Sequence, residues 1–155
     1  MLSPVFKKMN LKSDITEIVI LNAPESFETE IALLENVSIV RDTAEVEKIK
    51  FGLAFVTTLE GVQEATKQFV TRADGDMLLW LAYPKKSSKK YTCEFNRDTG
   101  WSALGDVGFE PVRQVAVDVD WSALRFRHVD FIKTMKRRNS MALSAEGKKR
   151  TKKNQ

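Results

Sequence analysis

Three stretches of this chain are apolar along most of their length: EIVILNAP (17–24), FGLAFVTT (51–58) and DMLLWLAYP (76–84). None alternates as a strand with one wet face does, so each predicts a strand covered on both sides. Several such strands require helices on both faces of one sheet, which constrains the fold more than any other feature of the sequence.

The intervening segments supply candidate helices. After Pro24, the run ESFETEIALL offers Ser26 as a cap and Glu28 and Glu30 for the positive end of a helix. SIVRD (38–42) predicts a further short strand. Residues 59–73 place Val62, Ala65, Phe69 and Val70 at helical spacing, and ADGD (73–76) predicts a turn. Residues 96–108 predict a helix with Trp101, Leu104 and Val107 on one face and Gly108 as its stop, weakened by Gly100 by about 1 kcal/mol. The last part changes period. VRQVAVDVDW (112–121) and LRFRHV (124–129) both alternate, predicting a hairpin that turns near Ser122-Ala123, with Asp118 and Asp120 facing Arg125 and Arg127. The expected fold is α/β: a three-layer, Rossmann-like sandwich with a mostly parallel sheet, closed by a C-terminal antiparallel hairpin.

Charge divides the chain. Residues 133–155 hold nine Lys and Arg against one Glu, while the other 132 residues hold 16 basic and 20 acidic side chains. Residues 1–132 are therefore expected to form one mildly acidic domain and residues 133–155 a basic, disordered tail. The single cysteine, Cys93, cannot close an internal disulfide, no apolar run is long enough to span a bilayer, and the start has no secretory pattern. A cytoplasmic protein is expected, with no membrane partner.

Three motifs carry a resemblance: Asn22-Ala23-Pro24 after the first strand, LWLAYPKKSS (79–88) and DWSALRF (120–126). Together they resemble a small bacterial family of Rossmann-like proteins, and the order of elements is similar to the S-adenosylmethionine-dependent methyltransferase fold with early elements missing. The position of Tyr83 is often tryptophan in that family. The resemblance implies the fold and carries no activity with it. Two departures from methyltransferases bear on function. The turn after the first strand has no glycine, and Pro24 removes a backbone donor there. The acid expected at the end of the second strand for a ribose hydroxyl is at best Asp42, which a turn explains equally well.

In an open parallel sheet, ligands sit beyond the carboxyl ends of the strands. Lys85, Lys86 and Ser87 emerge there, with Asn22 and Thr57 at neighbouring strand ends and Arg97 near the next helix. These six residues form the expected ligand site: charge from Lys85 and Lys86, hydrogen bonds from Ser87 and Asn22, a floor from Thr57, assistance from Arg97. Asn96 and Asp98 are candidate caps. Lys89 and Lys90 are ordinary loop charges; the lysines could lower the Cys93 thiol pKa somewhat, but Cys93 reads as an ordinary thiol. The tryptophans Trp80, Trp101 and Trp121 predict core packing, with Trp121 the most exposed. His128, the only histidine, lies within a strand without neighbouring ligands, so neither a metal site nor a catalytic triad is expected. No catalytic residue is assigned.

The expected function is binding of a small anionic or nucleotide-like ligand, or of a protein partner, without demonstrable catalysis and with no cofactor named. The alternatives are a degenerate S-adenosylmethionine-dependent methyltransferase, and a nucleic-acid-associated protein acting weakly through its basic tail. The acidic balance of residues 1–132 argues against nucleic-acid binding by the folded part.

Overall fold

A computed structural model of the chain describes residues 4–95 and 99–132. Six strands form one sheet: β1 (Glu17–Leu21), β2 (Ser38–Val40), β3 (Ile49–Phe55), β4 (Ala73–Pro84), β5 (Phe109–Ala116) and β6 (Trp121–His128). Their order is β2-β1-β3-β4-β6-β5. The first four run parallel, and β6 lies antiparallel between β4 and β5. The continuous apolar strands do what their pattern requires. From Met77 to Pro84 every residue of β4 is buried, and the sheet separates two apolar layers.

On one face, Val5, Phe6 and Met9, from and just after α1 (Pro4–Lys8), join Phe27 and α2 (Glu28–Ile31) against Phe51, Leu53 and Trp80. The indole Nε1 of Trp80 donates to the Met9 carbonyl at 3.1 Å, so this large buried side chain has its polar atom satisfied. On the other face, Val62, Ala65 and Phe69 of α3 (Leu59–Val70) and Leu104 of α4 (Ser102–Asp106) cover Leu79, Leu81 and Phe126. Gly52 of β3 lets α3 approach closely, since a Cβ there would sit 3.0 Å from the Phe69 ring. The architecture is the expected three-layer α/β sandwich, mostly parallel and closed by an antiparallel pair.

Several local expectations fail, each for an identifiable reason. Pro4–Lys8 forms a helix that only tertiary packing reveals. The segment after Pro24 is a 3-10 turn (Glu25–Phe27) running into the four-residue α2, and no side chain caps either piece. Ala73–Asp76 belongs to β4 rather than to a turn. Of the helix expected over 96–108, the described residues 99–108 form only Ser102–Asp106, and Gly108, at φ +86°, does follow its end as a left-handed stop.

The hairpin turns at 117–120, before the predicted place, because Asp118 Oδ1 accepts from the backbone amides of Asp120 and Trp121 at 2.8 Å each. Val119 is consequently 80% exposed at the tip, whereas Trp121, at 3% still the most exposed of the three tryptophans, is buried rather than partly open. Asp118 and Asp120 do not face Arg125 and Arg127. Arg127 instead pairs with Asp76 on β4, its closest contact 2.6 Å, and Arg125 approaches the same carboxylate at 4.0 Å.

Candidate functional site

The helix elements that follow β1 and β3 lie on opposite faces of the sheet. The chain therefore diverges between these adjacent strands, and a crevice opens beyond their carboxyl ends. Asn22, directly after β1, takes φ +59°, the left-handed conformation in which asparagine is the best-tolerated residue after glycine. The glycine missing from the sequence is thus replaced in backbone shape, though a side chain remains. Thr57 follows β3. Thr58 then caps α3, its Oγ1 accepting from the Gly61 amide at 2.9 Å. Asn22, Pro24, Glu25, Thr57, Tyr91 and Trp121 line a crevice of about 470 Å³. A smaller recess of about 290 Å³ lies behind Asn22 against Glu60, Glu64 and Gln68.

A second cleft, of about 950 Å³, lies beside the first, above the end of β4 and the neighbouring ends of β5 and β6. It holds Lys85, Lys86 and Ser87 together with Tyr83, Cys93 and Gln114. Its floor is ordered by a hydrogen bond of 2.9 Å from Gln114 Nε2 to the Tyr83 hydroxyl. The lysine loop is stitched down rather than floating. The Lys85 amide donates to the Asp120 carbonyl at 2.7 Å, and the Ser88 hydroxyl donates to Asp120 Oδ1 at 2.8 Å while accepting from the amides of Lys90 and Tyr91. Ser88 therefore holds the loop, leaving Ser87 exposed beside Lys86. Among the described residues, neither Lys85 nor Lys86 has a carboxylate partner.

The predicted set is thus divided. Lys85, Lys86 and Ser87 share the larger cleft, Asn22 and Thr57 share the smaller crevice, and Tyr91 lines both. Arg97, with the proposed caps Asn96 and Asp98, lies outside the described residues. Tyr91 packs against Trp121 with ring centroids 4.9 Å apart and the planes tilted by 54°, and it lines both compartments. Sequence reasoning passed over this residue. The signal was a period-two pattern in YTCEF (91–95), where Tyr91 and Cys93 are partly buried and Phe95 fully buried, while Thr92 and Glu94 stay exposed.

Glu94 was also missed. Its amide donates to the Thr57 carbonyl, and its Oε2 accepts from the Leu59 amide, at 3.1 Å in both cases. A carboxylate from the chain itself therefore occupies one of the open amides at the positive end of α3. Asp42 is similarly committed, its Oδ1 accepting from Ala44 at 2.9 Å as a cap. At Cys93, burial pushes the thiol pKa up, a backbone hydrogen bond at Phe95 offsets this in part, and the Glu94 charge adds to the rise, so the nearby lysines do not activate it. The buried Nε1 of Trp121 finds no hydrogen-bond acceptor among the described residues. His128 accepts from the Asp130 amide through Nδ1 and packs edge-on against Phe109. No group of three His, Cys, Asp or Glu among the described residues is placed to hold a metal ion. No described helix is long and apolar enough to cross a membrane.

No family model matches the chain, and no curated protein matches it significantly. Solved structures do. An S-adenosylmethionine-dependent methyltransferase from Aquifex aeolicus aligns at a TM-score of 0.51 and 17% identity, over 81% of this chain and 88% of that one. The ribosomal protein L11 methylase of Lactobacillus delbrueckii aligns at 0.49 and 10% identity, over 80% and 77%. A release-factor-specific protein-(glutamine-N5) methyltransferase from Alicyclobacillus acidocaldarius aligns at 0.48 and 10%, over 80% and 89%. At such identities the likeness is one of fold: the chain is distantly similar to the Rossmann-like methyltransferases in its six-stranded sheet and antiparallel end.

Proposed function

We propose that this chain is a small-ligand-binding Rossmann-like domain whose ligand spans the two rim compartments. The observation that carries this reading is the adjacency of a crevice holding Asn22 and Thr57 and a cationic cleft holding Lys85, Lys86 and Ser87, with Tyr91 shared between them. A nucleotide-like ligand places its uncharged part in the first and its anionic part in the second. Volumes of about 470 and 950 Å³ are those of ordinary ligand sites. Arg97 assists from the segment following the cleft. The same reading takes residues 1–132 as the binding domain and 133–155 as a separate basic tail, in a reducing, cytoplasmic setting. It also takes the three motifs as marks of the small bacterial family they resemble.

The test is thermal unfolding with a panel of nucleotides and phosphorylated metabolites. A ligand at 100 times its Kd stabilises by about 2.7 kcal/mol. The expected result is a shift with at least one anionic compound, lost in the double variant Lys85→Ala, Lys86→Ala. A shift that survives the double variant refutes the assignment of the cleft.

The second reading is a degenerate methyltransferase, favoured by the fold and by the left-handed turn at Asn22. The residues present do not offer an S-adenosylmethionine site of the usual kind. Asp42 caps its own turn, and Glu94 already sits at the start of α3. S-adenosylmethionine in the same panel decides between the readings: stabilisation by it alone, indifferent to the two lysine substitutions, would favour the second.

A further inference from the structure

The smaller rim crevice carries polar side chains that the chain itself does not use. The carboxamide of Asn22, the hydroxyl of Thr57 and the phenol of Tyr91 belong to its lining, and none of these groups has a hydrogen-bond partner among the described residues. Trp121 lines the crevice too, and its buried Nε1 is a donor without an acceptor among the described residues. The rest of the wall is apolar and flat. Phe55 meets Trp121 edge-on with centroids 5.0 Å apart, Tyr91 meets it at 4.9 Å, and Pro24 completes the surface. Such a wall suits a planar ring, which contacts aromatic side chains without losing torsional freedom of its own. A primary carboxamide offers a donor and an acceptor side by side, the complement of the amine and ring nitrogen on one edge of adenine.

Charge fixes which way round a ligand lies. Glu25 lines the crevice, and Glu60 and Glu64 line the recess behind Asn22. These carboxylates disfavour an anion and favour an exocyclic amine over a carbonyl. Lys85 and Lys86 lie in the adjoining cleft, and Lys90 Nζ stands 5.5 Å from the centroid of the Tyr91 ring. A molecule that leaves the crevice past Tyr91 therefore passes from acidic to basic surroundings. We propose that the crevice receives an amino-bearing nucleobase of the adenine kind, its edge read by Asn22 and its ring held among Pro24, Tyr91 and Trp121, with the phosphate of the same molecule at the lysines. This rests on the reading of the rim as a small-ligand site and names the ligand's class, a nucleoside phosphate recognised by its base. A sugar phosphate would meet the lysines and leave Asn22 and the aromatic wall uncovered.

The test is isothermal titration calorimetry of the full chain with adenosine monophosphate, uridine monophosphate and phosphorylated ribose. Adenosine monophosphate is expected to bind about tenfold more tightly than phosphorylated ribose, through contact of its ring with the aromatic wall, and more tightly than uridine monophosphate. Asn22→Gly keeps the left-handed turn at an exposed position and removes the carboxamide, so the variant should fold as the parent does. It should weaken adenosine monophosphate by about tenfold and leave phosphorylated ribose unchanged. Lys85→Ala with Lys86→Ala should weaken all three. Equal affinity for adenosine monophosphate and phosphorylated ribose, equal affinity for the two nucleotides, or unchanged binding of adenosine monophosphate in Asn22→Gly would overturn the base assignment. If the lysine variant still abolished binding in those cases, the reading of the cleft would stand without it. Absence of binding by all three probes would also overturn this inference, and the thermal panel would then decide the broader reading alone.

Discussion

Polar groups at the ligand rim and on the arginine-bearing strands β5 and β6 are managed differently. Around the rim they sit on loops, and the chain satisfies many of them itself: Ser88 with Asp120, Glu94 with Leu59, Asp42 with Ala44. On the strands, Arg113, Arg125 and Arg127 sit in fixed register, and their described ion pairs all go to Asp76. A loop can turn to meet a partner, whereas a strand residue is held by its ladder.

The largest test of this contrast is Asp76→Ala. Removing the shared carboxylate leaves Arg127 and the more buried Arg125 unpaired. It should lower the stability measured by urea unfolding by about 2 kcal/mol, within the range for hydrogen bonds to charged groups and below a fully buried pair because Arg127 remains a third exposed. At the rim, Ser88→Ala removes one donor and one acceptor from an accessible loop, so about 1 kcal/mol is expected, with a change in tryptophan fluorescence as Tyr91 loosens from Trp121. The smallest effect belongs to Glu94→Gln. The amide oxygen still accepts from Leu59, so only the favourable charge at the start of α3 is lost, about 0.3–1 kcal/mol and less at high salt. A loss at Ser88 exceeding that at Asp76 would reverse the ranking of the two regions.

The layered sheet was legible because burial on both faces writes itself into uninterrupted apolar runs such as Met77–Ala82. Elements made by tertiary packing were not. The helix at Pro4–Lys8 shows only two buried residues, too few for a period. The hairpin turn was hidden because the alternation of valines continues through Val117 and Val119, and only the side-chain bonds of Asp118 reverse the chain there. Of the candidate site, the strand ends carrying Asn22, Thr57, Lys85, Lys86 and Ser87 followed from the rule for parallel sheets. Their division into two compartments did not, because it depends on where the ring of Tyr91 rests. The opposition of Arg113 and Arg125 was equally invisible, since a bulge between Pro111 and Arg113 sets that register.

The tilted contact of Tyr91 with Trp121 has a consequence for what the rim can admit. With that phenol held between the neighbouring chambers, a guest reaching both must lie across its ring.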